Sequence, residues 1–233
     1  MDAAADPETA RTLTRYFQVR PGGYGEGDVF LGLKLSELRT LVAPYAAEPF
    51  APDRWLPLLR SPVHEHRLAS LVVMSERAQR SAGRRGDPAE LELVYRTYLD
   101  NTAHINNWDL VDVSSGRIVG GYLQYRDRAP LYALARSESL WERRIAMVGC
   151  QWFLKAGETA DLFRLAEMLL GDRHDLMHKA VGWSLREAGK RDPAALRQFL
   201  TDHVSGMPRT TLRYAIERFD PEERRAFLRL VRI

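Results

Sequence analysis

Five short segments recur along this chain in one register, and their spacing limits what it can fold into. They are EHRLASL from Glu65, NWDLVDV from Asn107, RRIAMVG from Arg143, HKAVGWS from His178 and LRYAIER from Leu212. The aligned position holds Arg67, Asp109, Arg144, Lys179 and Arg213, at intervals of 42, 35, 35 and 34 residues. A period near 35 accommodates two helices and their turns. Such a unit cannot bury its apolar face alone, so each helix pair must cover its neighbour, as in an α-solenoid. The longer first interval contains SAGRRGDPAE, which predicts an enlarged loop.

The segments between these markers are helical in pattern. AELELVYRTYLDNTAHI, RRIAMVGCQWFLKAG, DLFRLAEMLLG, MHKAVGWSLREAGK and PAALRQFLTDHV all carry apolar residues at helical spacing. Proline and glycine fall between them rather than inside. Asp192-Pro193 and Asp220-Pro221 each predict an N-cap followed by proline in the first turn. No run of alternating β-branched residues suggests a strand. The expectation is an all-α chain of about ten to twelve helices. It is read as a single domain over 1–233, with N-terminal helices and a glycine-rich loop over 1–33 and repeats from about 34.

Several classes of protein are excluded. No apolar run approaches the roughly 18 residues of a membrane span, and MDAAADPETARTL is too polar and acidic for a signal peptide. Cys150 is the only cysteine, so no internal disulfide can form. These features predict a cytoplasmic protein with no membrane partner. The net charge is only +3 but uneven: residues 141–233 hold 17 Lys and Arg against 13 Asp and Glu, and the rest is close to neutral. That excess is compatible with a polyanionic partner.

In a solenoid, equivalent residues line one surface. Arg67, Arg144, Lys179 and Arg213 are therefore expected to form a basic row along a concave groove suited to the phosphates of a nucleic-acid duplex. The alternative is that charged residues fill a repeated solvated position. Asp109 interrupts the row, and Asp112 follows one helical turn later, so both carboxylates can face the same side. Against phosphate a carboxylate only repels, so the pair makes sense if it meets a cation.

One cation that a DNA-binding surface could meet is a purine alkylated on a ring nitrogen. Its N-glycosidic bond is already weakened. Cleavage builds positive charge on the sugar, which a nearby carboxylate stabilises while positioning a water or acting as general base towards it. Trp108 adjoins the acids and Trp183 lies four residues after Lys179; an indole face attracts cations and stacks on sugar or base. A helical tryptophan is more often a core residue, and Trp55, Trp141 and Trp152 are assigned to the core on that ground.

Other candidates carry less chemistry. His174 and His178 are four apart but lack a third ligand at suitable spacing and the zincin glutamate, so no metal is assigned. His64-x-His66 reads as a helix start with an exposed imidazole. Cys150, in AMVGCQWF, reads as a small buried hydrophobe. GGYGEGD lacks the Lys-Ser/Thr of a P-loop and reads as a mobile loop near the ligand.

Four blocks in order, FLGLKLSELRTL (30–41), WDLVD (108–112), WERRIAM (141–147) and HKAVGWSLREAGK (178–190), together with YGEGDVFLGL (24–33), resemble the AlkD-type DNA alkylation repair glycosylases. The resemblance spans nearly the whole chain. It implies a right-handed-type solenoid of HEAT-like repeats curved round duplex DNA, acting as a monomer. It also implies hydrolytic release of cationic N3- and N7-alkylated purines without cofactor or metal, and without flipping the base.

Residue by residue, the resemblance makes Asp112 the essential carboxylate, Trp108 and Trp183 the aromatic contacts at the lesion, and Arg144 the groove-lining arginine. Lys179 and Arg186 become backbone contacts, and a nucleoid-associated location follows. The start departs from the family: RPGGYGEGD is glycine-rich where some members have a longer helical stretch with an aromatic, which leaves Tyr24 as the candidate for that contact. The rival reading is a non-catalytic HEAT-repeat scaffold for DNA or protein, which would share the fold.

Overall fold

A computed structural model describes residue 1 and residues 4–230, so the last three positions of the expected repeat region lie outside the described residues. Every regular element among them is helical; the only β feature is an isolated parallel bridge between Val29 and Val63. The chain folds as two compact units, Met1–Tyr122 and Leu123–Ile233.

The first unit contains α1 (Pro7–Tyr16), α2 (Leu35–Ala46), α3 (Pro52–Leu59), α4 (His64–Ser81), α5 (Pro88–Leu99) and α6 (Trp108–Ser115). A π-helical stretch, Gly116–Gly120, continues α6 and leads into the short α7 (Gly121–Leu123). At the centre is α4, packed against α2, α3, α5 and α6. That explains a sequence with little amphipathic contrast: Leu68, Leu71, Val72, Val73 and Met74 are all buried because neighbours cover the helix on several sides.

The first two residues of α4 also anchor the glycine-rich loop. Glu65, itself buried, accepts hydrogen bonds from the backbone N–H groups of Leu31 (2.9 Å), Gly32 (2.8 Å) and Leu33 (3.3 Å). Gly32 is required there: its φ is +90°, and a Cβ would lie 2.1 Å from the Asp6 carbonyl oxygen. The neighbouring His64 N–H donates to the Val29 carbonyl at 2.8 Å. Residues 29–33, which follow GGYGEGD, are thus held to α4 by side chain and backbone together.

The second unit contains α8 (Ala129–Ala135), α9 (Leu140–Gly149), α10 (Ala160–Leu169), α11 (Asp175–Gly189), α12 (Pro193–His203), α13 (Arg209–Ala215) and α14 (Pro221–Leu230). Here the helices alternate as a two-helix repeat demands. α8 pairs with α9 and α10 with α11, while α9 and α13 both pack on α11. Arg144, Lys179 and Arg213 are each the fifth residue of their helix, so the register holds across the second unit, whereas Arg67 is the fourth residue of α4 and Asp109 the second of α6.

Both expected caps form: Asp192 accepts from the Ala195 N–H, and Asp220 from those of Glu222 and Glu223. Asp6 and Asp87 start α1 and α5 in the same way, each followed by proline. No helix among the described residues is long and apolar enough to cross a membrane.

Candidate active site

The start of α6 is fixed by its own sequence. The Asn107 side-chain oxygen accepts from the Trp108 N–H at 2.8 Å, and Asp109 Oδ1 from the Leu110 N–H at 2.9 Å, satisfying donors that the helix leaves open. Leu110, Val111, Ser114 and Ser115 turn inward and are buried. Trp108, Asp109 and Asp112 are left on the half-buried flank, and Trp108 and Asp112, four residues apart, are neighbours on the helix surface. Burial pushes the Tyr98 hydroxyl's pKa up, its hydrogen bond with Ser114 opposes that, and the Asp112 carboxylate adds a smaller upward push.

Trp108 is held by aromatic neighbours brought from α1 and the glycine-rich loop. Its ring stacks on Phe17 at 5.3 Å between centroids and meets Tyr16 edge-on at 5.9 Å. Its Nε1–H donates to the Tyr24 hydroxyl at 3.3 Å, and that hydroxyl donates to the Tyr16 carbonyl at 3.1 Å. Tyr24 therefore lies beside Trp108, although 84 residues separate them in the chain.

Asp109 has a different partner from the one its place in the basic row suggested. His64 Nε2 lies 2.8 Å from Asp109 Oδ2, and His64 Nδ1 lies 3.2 Å from Asp28 Oδ2. Asp28 is in turn ion-paired with Arg67 at 2.6 Å. The expectation of an exposed imidazole at His64 is corrected: only 2% of this residue is accessible. Its ring stacks on Phe30 at 4.6 Å. Burial lowers the pKa of this imidazole, but the hydrogen bonds to Asp109 and Asp28 outweigh it and raise the value to about 9. Burial raises that of Asp28, and the contacts with His64 and Arg67 reverse the sign and hold it below the ordinary carboxylate value. The result is an imidazolium clamped between two carboxylates, tying the glycine-rich loop to the first turn of α6.

The basic row is corrected at two of its four positions. Arg67 is buried against Asp28 because a charge taken out of water needs a partner. Arg144 is only 5% exposed and donates to the Leu176 carbonyl at 2.8 Å, which links α9 to the first turn of α11. Lys179 is half-buried and paired with Asp175 at 2.7 Å. Arg186 is paired with Glu217 and, at 3.3 Å, with Glu187. Arg213 is exposed and shares a cleft with Lys179. Trp183 is half-buried on α11.

The remaining assignments divide. Trp55 is a core residue, whereas Trp141 and Trp152 are only half-buried, the latter with Lys155 Nζ 3.6 Å above its ring. Cys150 is buried, and burial pushes its thiol pKa well up. His174 caps α11 by accepting from the Leu176 N–H, and His178 Nε2 bonds the Asp172 carbonyl. Among the described residues no group of three or more His, Cys, Asp or Glu is placed to hold a metal ion. Sequence reading missed His64, Asp28 and Arg67 as site partners. The available signal was an ionisable residue opening a helix otherwise buried on most sides.

The family model of the DNA alkylation repair enzymes matches residues 1–219. A solved structure of a predicted DNA alkylation repair enzyme from Enterococcus faecalis superposes with a TM-score of 0.69 at 17% identity, covering 93% of this chain and 97% of that one. No curated protein matches.

Proposed function

This chain belongs to the DNA alkylation repair enzyme family, and from that premise we propose that it hydrolyses the N-glycosidic bond of cationic N3- and N7-alkylated purines in duplex DNA. The observation that carries the reading is the placement of a carboxylate and an indole side by side on α6. Asp112 stands one turn from Trp108 on the partly accessible flank, on a helix whose first turn is held by His64 through Asp109.

An alkylated purine leaves as a neutral base, so no general acid is required. As the bond lengthens, positive charge collects on the deoxyribose. The Asp112 carboxylate stabilises that charge electrostatically and orients or deprotonates the attacking water, a contribution of about 10²–10⁴ in rate. The Trp108 indole, steadied by Phe17 and Tyr24, offers its π-face to the sugar or the cationic base. Trp183, half-buried on α11, is a further aromatic contact, and Arg213, exposed on α13, contributes positive potential for the phosphates. The lesion is attacked while stacked, with no cofactor or metal.

The deciding experiment is incubation of the protein with duplex DNA treated with a methylating agent, followed by chromatography of released bases. Free 7-methylguanine or 3-methyladenine is the expected product. Duplex binding without base release would instead make the chain a DNA-binding scaffold of the same fold.

A further inference from the structure

Only part of the second unit's positive charge is where the repeat register put it. Lys179 and Arg186 are each paired with carboxylates, on Asp175 and on Glu187 and Glu217, so their fields are largely cancelled at a distance. One step further along the chain, α13 and α14 enclose a cleft lined by Arg209, Arg213, Arg224 and Arg225 over an apolar floor that includes Phe219 and Leu228. No carboxylate lines this cleft. Among the described residues none of the four guanidinium groups forms an ion pair with an acidic side chain, whereas Arg197 nearby is paired with Glu223 and Arg186 with Glu217. Arg213 and Arg224 also line an adjoining depression, which holds Lys179 together with the carboxylates of Asp175 and Glu217, so the charge without carboxylate neighbours is confined to the cleft between α13 and α14.

We propose that this four-arginine cleft between α13 and α14 is a phosphate-binding site that grips the backbone of duplex DNA. The proposal rests on the reading that DNA is the substrate, and it extends the grip from Arg213, which the repeat register marks, to Arg209, Arg224 and Arg225, which it does not. Guanidinium groups present a planar fork that takes phosphate oxygens two at a time, and apolar surface beneath their stems lets the heads converge while staying hydrated. Four like charges gathered without a counter-charge cost stability through mutual repulsion. Consecutive phosphodiesters are the regularly spaced anions that relieve it. Two of the arginines, Arg224 and Arg225, lie on a helix beyond the residues that the family model matches.

The test is fluorescence anisotropy of a labelled, undamaged 20-base-pair duplex over a series of salt concentrations. The Arg224→Ala/Arg225→Ala protein is expected to bind roughly tenfold more weakly at low salt, with a log–log salt slope shallower by about 2, because two phosphate contacts are lost. Arg209→Ala/Arg213→Ala should behave alike, Arg224→Lys/Arg225→Lys should recover most of the affinity, and none should melt below the parent's temperature. Unchanged affinity and slope in both alanine doubles overturns the site, and leaves the glycosylase reading to the base-release assay. A parent protein that frees no alkylated base while the alanine doubles still lose duplex affinity defeats the glycosylase reading and supports the cleft.

Discussion

Nε2 of His64 lies 2.8 Å from Oδ2 of Asp109, in an environment where the imidazole is almost wholly inaccessible. A buried imidazole with carboxylates on both nitrogens is charged at neutral pH, and its pKa is raised from 6.5 to about 9. Because the folded value lies above the unfolded one, the stabilisation is fully present below pH 6.5 and disappears as the pH rises through 9. A shift of that size corresponds to about 3 kcal/mol. Urea unfolding from pH 6.5 to 9.5 should show the parent losing stability on that order, while His64→Gln is weaker throughout and nearly flat over the same window. Parallel curves for the two proteins would contradict a charged His64.

Asp112→Asn should keep, or slightly improve, affinity for plain duplex, since it removes a negative charge from the DNA side. Release of 7-methylguanine should fall by about 10²-fold or more, as for loss of a group acting in the transition state. Single-turnover base release measured beside duplex anisotropy separates the two effects. Unchanged release would remove Asp112 from the chemistry.

Trp108→Ala removes the partner of Phe17 and Tyr24 and, in the proposed reaction, a contact with the lesion. Excision should drop more steeply than affinity for undamaged duplex, whereas Trp108→Phe should restore the packing with Phe17 and only part of the rate. Equal losses in the two assays would make the indole purely structural.

Arg144→Ala should act first on stability. Its guanidinium is buried and bonded to the Leu176 carbonyl, and a charge-assisted hydrogen bond of that kind contributes about 1.5–3 kcal/mol. A clearly lowered melting temperature in differential scanning calorimetry is the expected result. A melt identical to the parent would mean that this contact is dispensable.

Gly182→Ala tests the packing of α11 on α13. A Cβ at this position would lie 2.5 Å from the Thr211 carbonyl oxygen and 2.6 Å from Tyr214 Cβ, so the two helices would have to separate. Overpacking of this kind costs about 1–3 kcal/mol. Chemical denaturation should register a loss in that range, and a neutral outcome would show that the helices slide freely.

Much of the architecture was legible in the residues. The Asp-Pro caps at Asp192 and Asp220 and the helical segments depend on contacts within a few residues and recur in the structure, and the repeat register recurs at Arg144, Lys179 and Arg213. The fate of individual charges was not legible. Arg67 and Arg144 occupy the marked position, yet both are buried, because each meets a partner more than 30 residues away, Asp28 or the Leu176 carbonyl. His64 and Asp109, 45 residues apart, carry no local signal that they touch.

By itself the sequence determined an all-helical chain, the register of its repeats and the flank of α6 that carries Trp108, Asp109 and Asp112. Helical periodicity and capping are short-range effects, fixed by a few neighbouring side chains. Only the tertiary structure decided that His64 clamps Asp109 to Asp28, that Trp108 rests on Phe17 and Tyr24, and that the unpaired cations gather between α13 and α14. The physical reason is that burial and ion pairing depend on which distant segments meet, and each meeting sets whether a charged side chain remains available to a ligand or is neutralised within the fold.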